Sequence, residues 1–350
     1  MRPNRLKVEG EVAVYHCISR VVAGERLLDD VAKEVFRKML WRTAEFCGVE
    51  VLAYCVMSNH FHLLVRVAPT DMEAPLDRAE ILRRYRAFYG EIPGSPNFPS
   101  SEVLAAKFAE NGEDAARWEA RLRARMGDVS QFIKTLKQRF TIWFNKTHRR
   151  FGTLWSERFK SVLVENSAFA LKTVAAYIDL NPVRAGLVED PARYRWCSYA
   201  EAMAGNRSAQ AGFGEILGLD PAGADGREIL ASYRMVLFGK GGVARASGHG
   251  RMAEEAVKAV LAKKGAVSAA ELLRVRIRYF SDGAILGSRE FVQDQAEARG
   301  LTAASTRRNG DALAVGVRKK VLGRIPIEAD NGVLLTSWRR LRKCAIGSPN

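Results

Sequence analysis

Apolar and polar positions alternate with two different periods along the first part of the chain. Residues 11–19 are rich in β-branched and aromatic side chains and read as a strand. Residues 26–46 then carry apolar side chains at helical spacing, with Leu28, Val31, Val35, Leu40 and Phe46 as candidate core contacts. Residues 51–56 and 60–67 read as two further strands, and Met57-Ser58-Asn59 between them is short enough to turn a hairpin. The order β-α-β-β, continued by a later helix, predicts an α+β fold: a ferredoxin-like antiparallel sheet with helices on one face.

From about residue 68 the pattern shifts. Residues 69–127 are rich in Arg and Glu, with a Pro/Gly/Ser break at 92–101, and read as a helical insertion whose charge is a solvated face. In residues 128–160, Phe132, Leu136, Phe140 and Trp143 keep a 3.6-residue spacing and are assigned to the core. Residues 168–180 contain several good helix formers and no Gly or Pro, and Asn181-Pro182 supplies a stop. Residues 190–203 close this unit, and the small, polar stretch 205–214 reads as a linker. Beyond it, 252–261 and 268–277 read as helices, 281–292 as a turn leading into another helix, and 338–343 as a basic patch or solvated tail. The chain thus divides into a unit over 1–204, with the insertion at about 69–127, and a mostly helical region over 215–350.

Charge narrows the partner. The 350 residues carry a formal net charge of +16, which favours a polyanion such as nucleic acid, with an anionic membrane surface as the competing reading. No apolar run approaches the length of a bilayer span and the first residues lack a signal core, so a cytoplasmic protein without a membrane role is expected. Five scattered cysteines without CxxC spacing read as reduced thiols. No P-loop is present, so the chemistry should not need a nucleoside triphosphate.

Candidate chemistry sits in two stretches. On a strand, His60 and His62 point to one face and Phe61, Leu63 and Val65 to the other, so two imidazoles could hold one divalent metal. Alone, His-x-His is a weak signal. On the helix before Pro182, Tyr177 and Asn181 are four apart and share a face, placing a phenol and a metal-capable amide on one ridge. Such a pair facing two histidines is a nucleophile-plus-metal arrangement; the plain alternative is an amphipathic helix whose Tyr caps a core. His16, in the first strand, has two readings, an approach to such a metal site or a strand histidine beside the sheet, and the second is preferred. Among the basic residues lying off the apolar stripe, Arg149, Arg150, Arg158 and Lys160 are the candidates for contacting nucleic-acid phosphates.

Residues 57–65 (MSNHFHLLV) together with 177–188 (YIDLNPVRAGLV) resemble the single-tyrosine HUH transposases, and within them the REP-associated tyrosine transposase branch. Tyr15-His16 and residues 152–160 (GTLWSERFK) match as well, and the resemblance spans about residues 8–202. It implies a ferredoxin-like nuclease fold and a transposase-like endonuclease and strand transferase acting on single-stranded, hairpin or repeat DNA. Tyr177 would be the nucleophile and form a 5′-phosphotyrosine intermediate. His60, His62 and Asn181 would bind Mg²⁺ or Mn²⁺; Asn181 stands where related enzymes often carry Gln. A bacterial, nucleoid-associated protein acting as monomer or homodimer is implied, and residues 215–350 resemble a helix-turn-helix-like DNA-binding accessory region of some longer transposases. The alternative on the same fold is a catalytically inactive, regulatory nucleic-acid-binding protein.

Overall fold

The computed structural model describes residues 6–8, 10–68, 76–90, 98–188, 190–219, 226–241, 283–298 and 333–337. Strands β1 (Ala13–Arg20), β2 (Val49–Val56), β3 (His60–Val67) and β4 (Lys160–Val164) form an antiparallel sheet in the order β2-β3-β1-β4. That is the ferredoxin-like order, with helix α1 (Asp30–Cys47) after β1 and α5 (Val129–Thr147) before β4. Both helices pack on one face, where Phe36 of α1 meets Phe61 of β3 and Phe140 of α5, with ring centroids 4.8 and 5.1 Å apart.

The expectation of helices on one face therefore holds for the two helices of the ferredoxin-like unit. The other face is also covered. Helices α6 (Ala168–Asp179), α8 (Ser198–Met203), α9 (Arg207–Leu217) and α10 (Gly226–Gly241) form a second core there with Val14, Leu64 and Val162. β1 and β3 are buried on both sides for this reason. Short helix α7 (Asn181–Arg184) follows directly on α6.

Helix α1 begins at Asp30 because the Asp29 carboxylate caps it, accepting from the Ala32 N–H at 2.7 Å. Its buried stripe runs through Ala32, Phe36 and Leu40. Val31, expected in the core, lies off that stripe and is 64% exposed. The turn between β2 and β3 closes with Met57 N–H donating to the His60 carbonyl at 2.8 Å. Phe132, Leu136 and Phe140 are buried as expected, and Trp143 packs partly buried against them.

Residues inserted between β3 and α5 form α2 (Arg78–Tyr89), α3 (Ser101–Glu110) and α4 (Glu113–Arg123). α2 is fused to the core through Phe88, stacked on Phe46 of α1 at 4.6 Å. Much of the charge here is internally paired rather than simply solvated. Arg78 and Arg123 both bond Glu119, Arg83 and Arg84 share Glu80, and Lys107 and Arg117 share Asp114.

The stretch read as a linker, 205–214, is mostly helix. α9 lies so close to β2 that a Cβ on Gly212 would fall 2.8 Å from the Val51 carbonyl oxygen. Its small residues permit close packing, where the sequence suggested looseness. Residues 281–292 also differ from expectation: Gly283–Ser288 form strand β5, followed by α11 (Arg289–Glu297). β5 extends the sheet parallel to β4, and β6 (Val333–Ser337) pairs with it antiparallel. The helices expected at 252–261 and 268–277 and the basic stretch at 338–343 lie outside the described residues, as does Cys344. Cys17, Cys47, Cys55 and Cys197 are buried and form no disulfide. Among the described residues no helix is long and apolar enough to cross a membrane.

Candidate active site

The period of two along β3 puts His60 and His62 on the face covered by α6, while Phe61 and Leu63 enter the core beneath. The register of β1 against β3 sets Arg20 opposite His60, Ile18 opposite His62 and His16 opposite Leu64. Paired residues share a face, so all three β1 side chains lie on the histidine side. β4 brings Lys160 opposite Ile18 on that same side. Arg20 and Lys160 are exposed, and they give the rim two cations near the imidazoles.

His16 is a member of this site, which corrects the reading of it as a bystander. It is fully buried, and its Nε2 lies 3.0 Å from His62 Nδ1, with the rings stacked at 5.2 Å. The diagonal from His16 to His62 crosses two strands, so the sequence could show it only through the strand register. The His60 ring is 5.0 Å from that of His62, and its Nδ1 is 2.7 Å from Asn59 Oδ1.

Tyr177 arrives from above on α6. Ser167 caps that helix, its hydroxyl accepting from the Ala170 N–H. The Tyr177 ring meets His62 and His16 edge-on, at 5.6 and 5.8 Å between centroids, and is only 2% exposed. Arg184 lies over its face at 4.0 Å. The same guanidinium donates to the Tyr177 carbonyl at 3.1 Å and to Asn181 Oδ1 at 2.5 Å. Asn181 Nδ2 turns back to the Tyr177 and Ile178 carbonyls. Thus Tyr177 joins the histidines, while the Asn181 amide bonds Arg184 and the backbone at the end of α6. Arg184, unassigned from sequence, is the residue that links Tyr177 and Asn181.

Asp179 anchors the helix. Its buried carboxylate accepts from the Ser198 and Tyr233 hydroxyls at 2.8 and 2.7 Å and from the Tyr199 N–H at 3.1 Å. Burial pushes its pKa up to about 6, against the pull of those hydrogen bonds.

Burial, followed by the Arg20 and Arg184 charges, lowers the His60 pKa to about 4. His62 is held well below the usual histidine range, by burial first and then by its neighbours. Both rings are therefore neutral near pH 7, the state in which imidazole ligates a metal. Among the described residues no group of three His, Cys, Asp or Glu is arranged to hold a metal ion.

The four candidate phosphate contacts are not equivalent. Arg149, Arg158 and Lys160 are exposed, whereas Arg150 is half-buried. The loop after α5 returns along the end of β1, with Val22 N–H donating to the Leu154 carbonyl and Ser156 N–H to the Arg20 carbonyl. Arg149 sits there at φ 50°, and the loop is braced by Asn145 Nδ2 donating to the Gly152 carbonyl at 3.0 Å. Between them Phe151 is 95% exposed. Only its exposure separates it from the core aromatics around it in sequence. Arg139, by contrast, is packed on the Phe88 ring at 4.1 Å.

Fold and site together define an α+β protein whose sheet sets strand histidines against a helix-borne tyrosine. The sequence model of the IS200-like transposases matches residues 11–73, from β1 through the hairpin that carries His60 and His62. Among solved structures, that of a REP-associated tyrosine transposase bound to a REP hairpin is similar at a TM-score of 0.36. Its sequence is 14% identical, and the alignment covers 59% of this chain and 86% of that one. No curated protein sequence matches the chain.

Proposed function

We propose that the protein is a single-stranded DNA endonuclease and strand transferase acting at hairpin or repeat DNA, with Tyr177 as its nucleophile. The observation that carries this reading is the edge contact of the Tyr177 ring with His62, a residue of the stretch that the IS200-like transposase model matches. The Tyr177 oxygen attacks the scissile phosphorus as its proton is lost. The bond to the 3′ oxygen breaks, leaving a 5′-phosphotyrosine and a 3′-hydroxyl. Attack by another 3′-hydroxyl on the adduct reverses the step and joins strands.

A divalent metal fits the donor set. His60 and His62 are neutral imidazoles on one strand face, and each has Nδ1 engaged by a neighbour, the outer support common to metal-bound histidines. Asn181 is the third ligand of the proposal, through an oxygen that Arg184 holds in this structure. Mg²⁺ or Mn²⁺ there would polarise the phosphate and neutralise its charge. Arg20 and Lys160 at the rim, with Arg149, Arg150 and Arg158, hold the flanking backbone. The catalytic residues of this proposal all lie within 1–204, and 215–350 assist recognition.

One observation favours a second reading, a regulatory DNA-binding protein without cleavage: Tyr177 is almost fully buried beneath Arg184. The deciding experiment incubates labelled hairpin DNA and Mn²⁺ with wild type and Tyr177→Phe, followed by denaturing electrophoresis. A labelled protein band present in wild type and absent from the variant supports the nuclease. Tight binding across a varied pool of hairpins, with no band, selects the regulatory protein.

A further inference from the structure

We propose that His16 is a positioning residue for the metal site, fixing the proton of His62 on Nδ1 so that Nε2 is the ligating atom. The inference rests on the metal assignment above and adds to it the tautomer and the residue that sets it.

The bond between His16 Nε2 and His62 Nδ1, at 3.0 Å, can contain only one proton. If that proton belonged to His16, the neutral His62 would carry its own on Nε2, and neither ring nitrogen of His62 would be open to a metal. If it belongs to His62, then His62 Nε2 has its lone pair, His16 Nε2 is the acceptor, and the neutral His16 carries its own proton on the buried Nδ1. In water both tautomers of an imidazole are accessible. Here His16 is fully buried in the sheet, so its ring is fixed by packing as well as by the bond.

His60 has the corresponding arrangement with a different partner. Asn59 Nδ2 donates to the Gly24 carbonyl at 3.1 Å, which orients that amide and turns Oδ1 toward His60. Oδ1 can only accept, so the 2.7 Å contact requires the proton on His60 Nδ1. His60 therefore presents Nε2. The role assigned to His16 gives His62 the same tautomer, so neighbouring rings 5.0 Å apart offer the same nitrogen to one ion. The His16 ring also meets Tyr177 at 5.8 Å, so the residue that orients the ligand also touches the nucleophile.

The test uses the full chain without DNA. Long-range proton–nitrogen NMR of protein labelled at the histidine ring nitrogens should show His62 protonated on Nδ1 and His16 carrying no proton on Nε2. Mn²⁺ affinity, measured by electron paramagnetic resonance, should fall about 10–100-fold in His16→Phe, the scale for losing an outer hydrogen bond to a metal ligand. His16→Gln, whose side-chain oxygen can accept from His62, should recover most of that loss. A purely structural role would not discriminate between these variants at equal thermal stability. His62 protonated on Nε2 in the wild type overturns the proposal even if His16→Phe fails to fold. Unchanged Mn²⁺ affinity in a folded His16→Phe removes His16 and leaves the metal assignment standing. Wild type that binds no Mn²⁺ removes both.

Discussion

The Arg184 guanidinium lies 4.0 Å from the centre of the Tyr177 ring and donates to the carbonyl of the same residue. A planar cation suits this geometry, because it can stack on the phenol while its edge reaches the tyrosine carbonyl and Asn181 Oδ1 together. A lysine ammonium keeps the charge and loses the fork. Arg184→Lys should therefore reduce the rate of covalent adduct formation by about 100-fold, the scale of a misplaced reacting group. Hairpin affinity should change far less, as measured by filter binding beside the adduct assay. An unchanged adduct rate would deny Arg184 any part in holding Tyr177.

Phe151 and Arg149 address the proposed DNA surface. A base stacked on an exposed aromatic contributes roughly 1–3 kcal/mol, so Phe151→Ala should weaken single-strand binding by about that amount. The ring is 95% exposed and supports little of the fold, so the melting temperature should hold. Arg149→Ala should lower the salt dependence of binding, reducing the slope of log K against log salt by about 0.7 for one lost phosphate contact. Variants that bind with wild-type affinity and slope would place the DNA elsewhere.

Gly212 tests the packing of α9. A methyl there would meet the Val51 and Leu52 carbonyl oxygens at 2.8 and 2.9 Å, and backbone cannot yield as a flexible side chain would. Gly212→Ala should destabilise the protein by about 1–3 kcal/mol, the range for overpacking. Gly218→Ala offers a contrast: its Cβ meets nothing within 4 Å, so only the strain of φ +73° is felt. Chemical denaturation of both variants separates crowding from strain.

Acid should weaken the tie between α1 and the segment before α8. Glu34 bonds Arg37 at 2.7 Å and Arg195 at 3.2 Å, and the Arg37 hydrogen bond leads in lowering its pKa from 4.5 to about 2. Because the folded value is depressed, the stabilisation is present above pH 4.5. It is lost as pH falls from there through about 2. Glu34→Gln should flatten that part of the stability profile, followed by urea midpoints between pH 2 and 6. A variant that keeps the wild-type slope would show that the pair contributes nothing.

Much of the site was legible because its signals are local to the chain. A strand repeats every two residues, so His-x-His alone puts His60 and His62 on one face with Phe61 opposite. A helix repeats every 3.6, so Tyr177 and Asn181 share a ridge, and Phe132, Leu136 and Phe140 share a buried one. Where only local composition or a single apolar position was the guide, the reading failed: the small residues of 205–214 suggested a linker, and Val31 fitted the apolar spacing yet faces solvent.

The sequence by itself determined which side chains each strand and helix offers, since alternation and helical periodicity follow from backbone geometry. Tertiary structure decided which of them meet. His16 reaches His62 only through the register of β1 on β3, and Arg184 of α7 reaches back over the Tyr177 ring across the break at Leu180. Over β2, the face that carries the candidate site is covered by α9, whose approach depends on the absence of one Cβ at Gly212. Those contacts join residues distant along the chain or turned by a helix break, and short-range periodicity has no means of recording them.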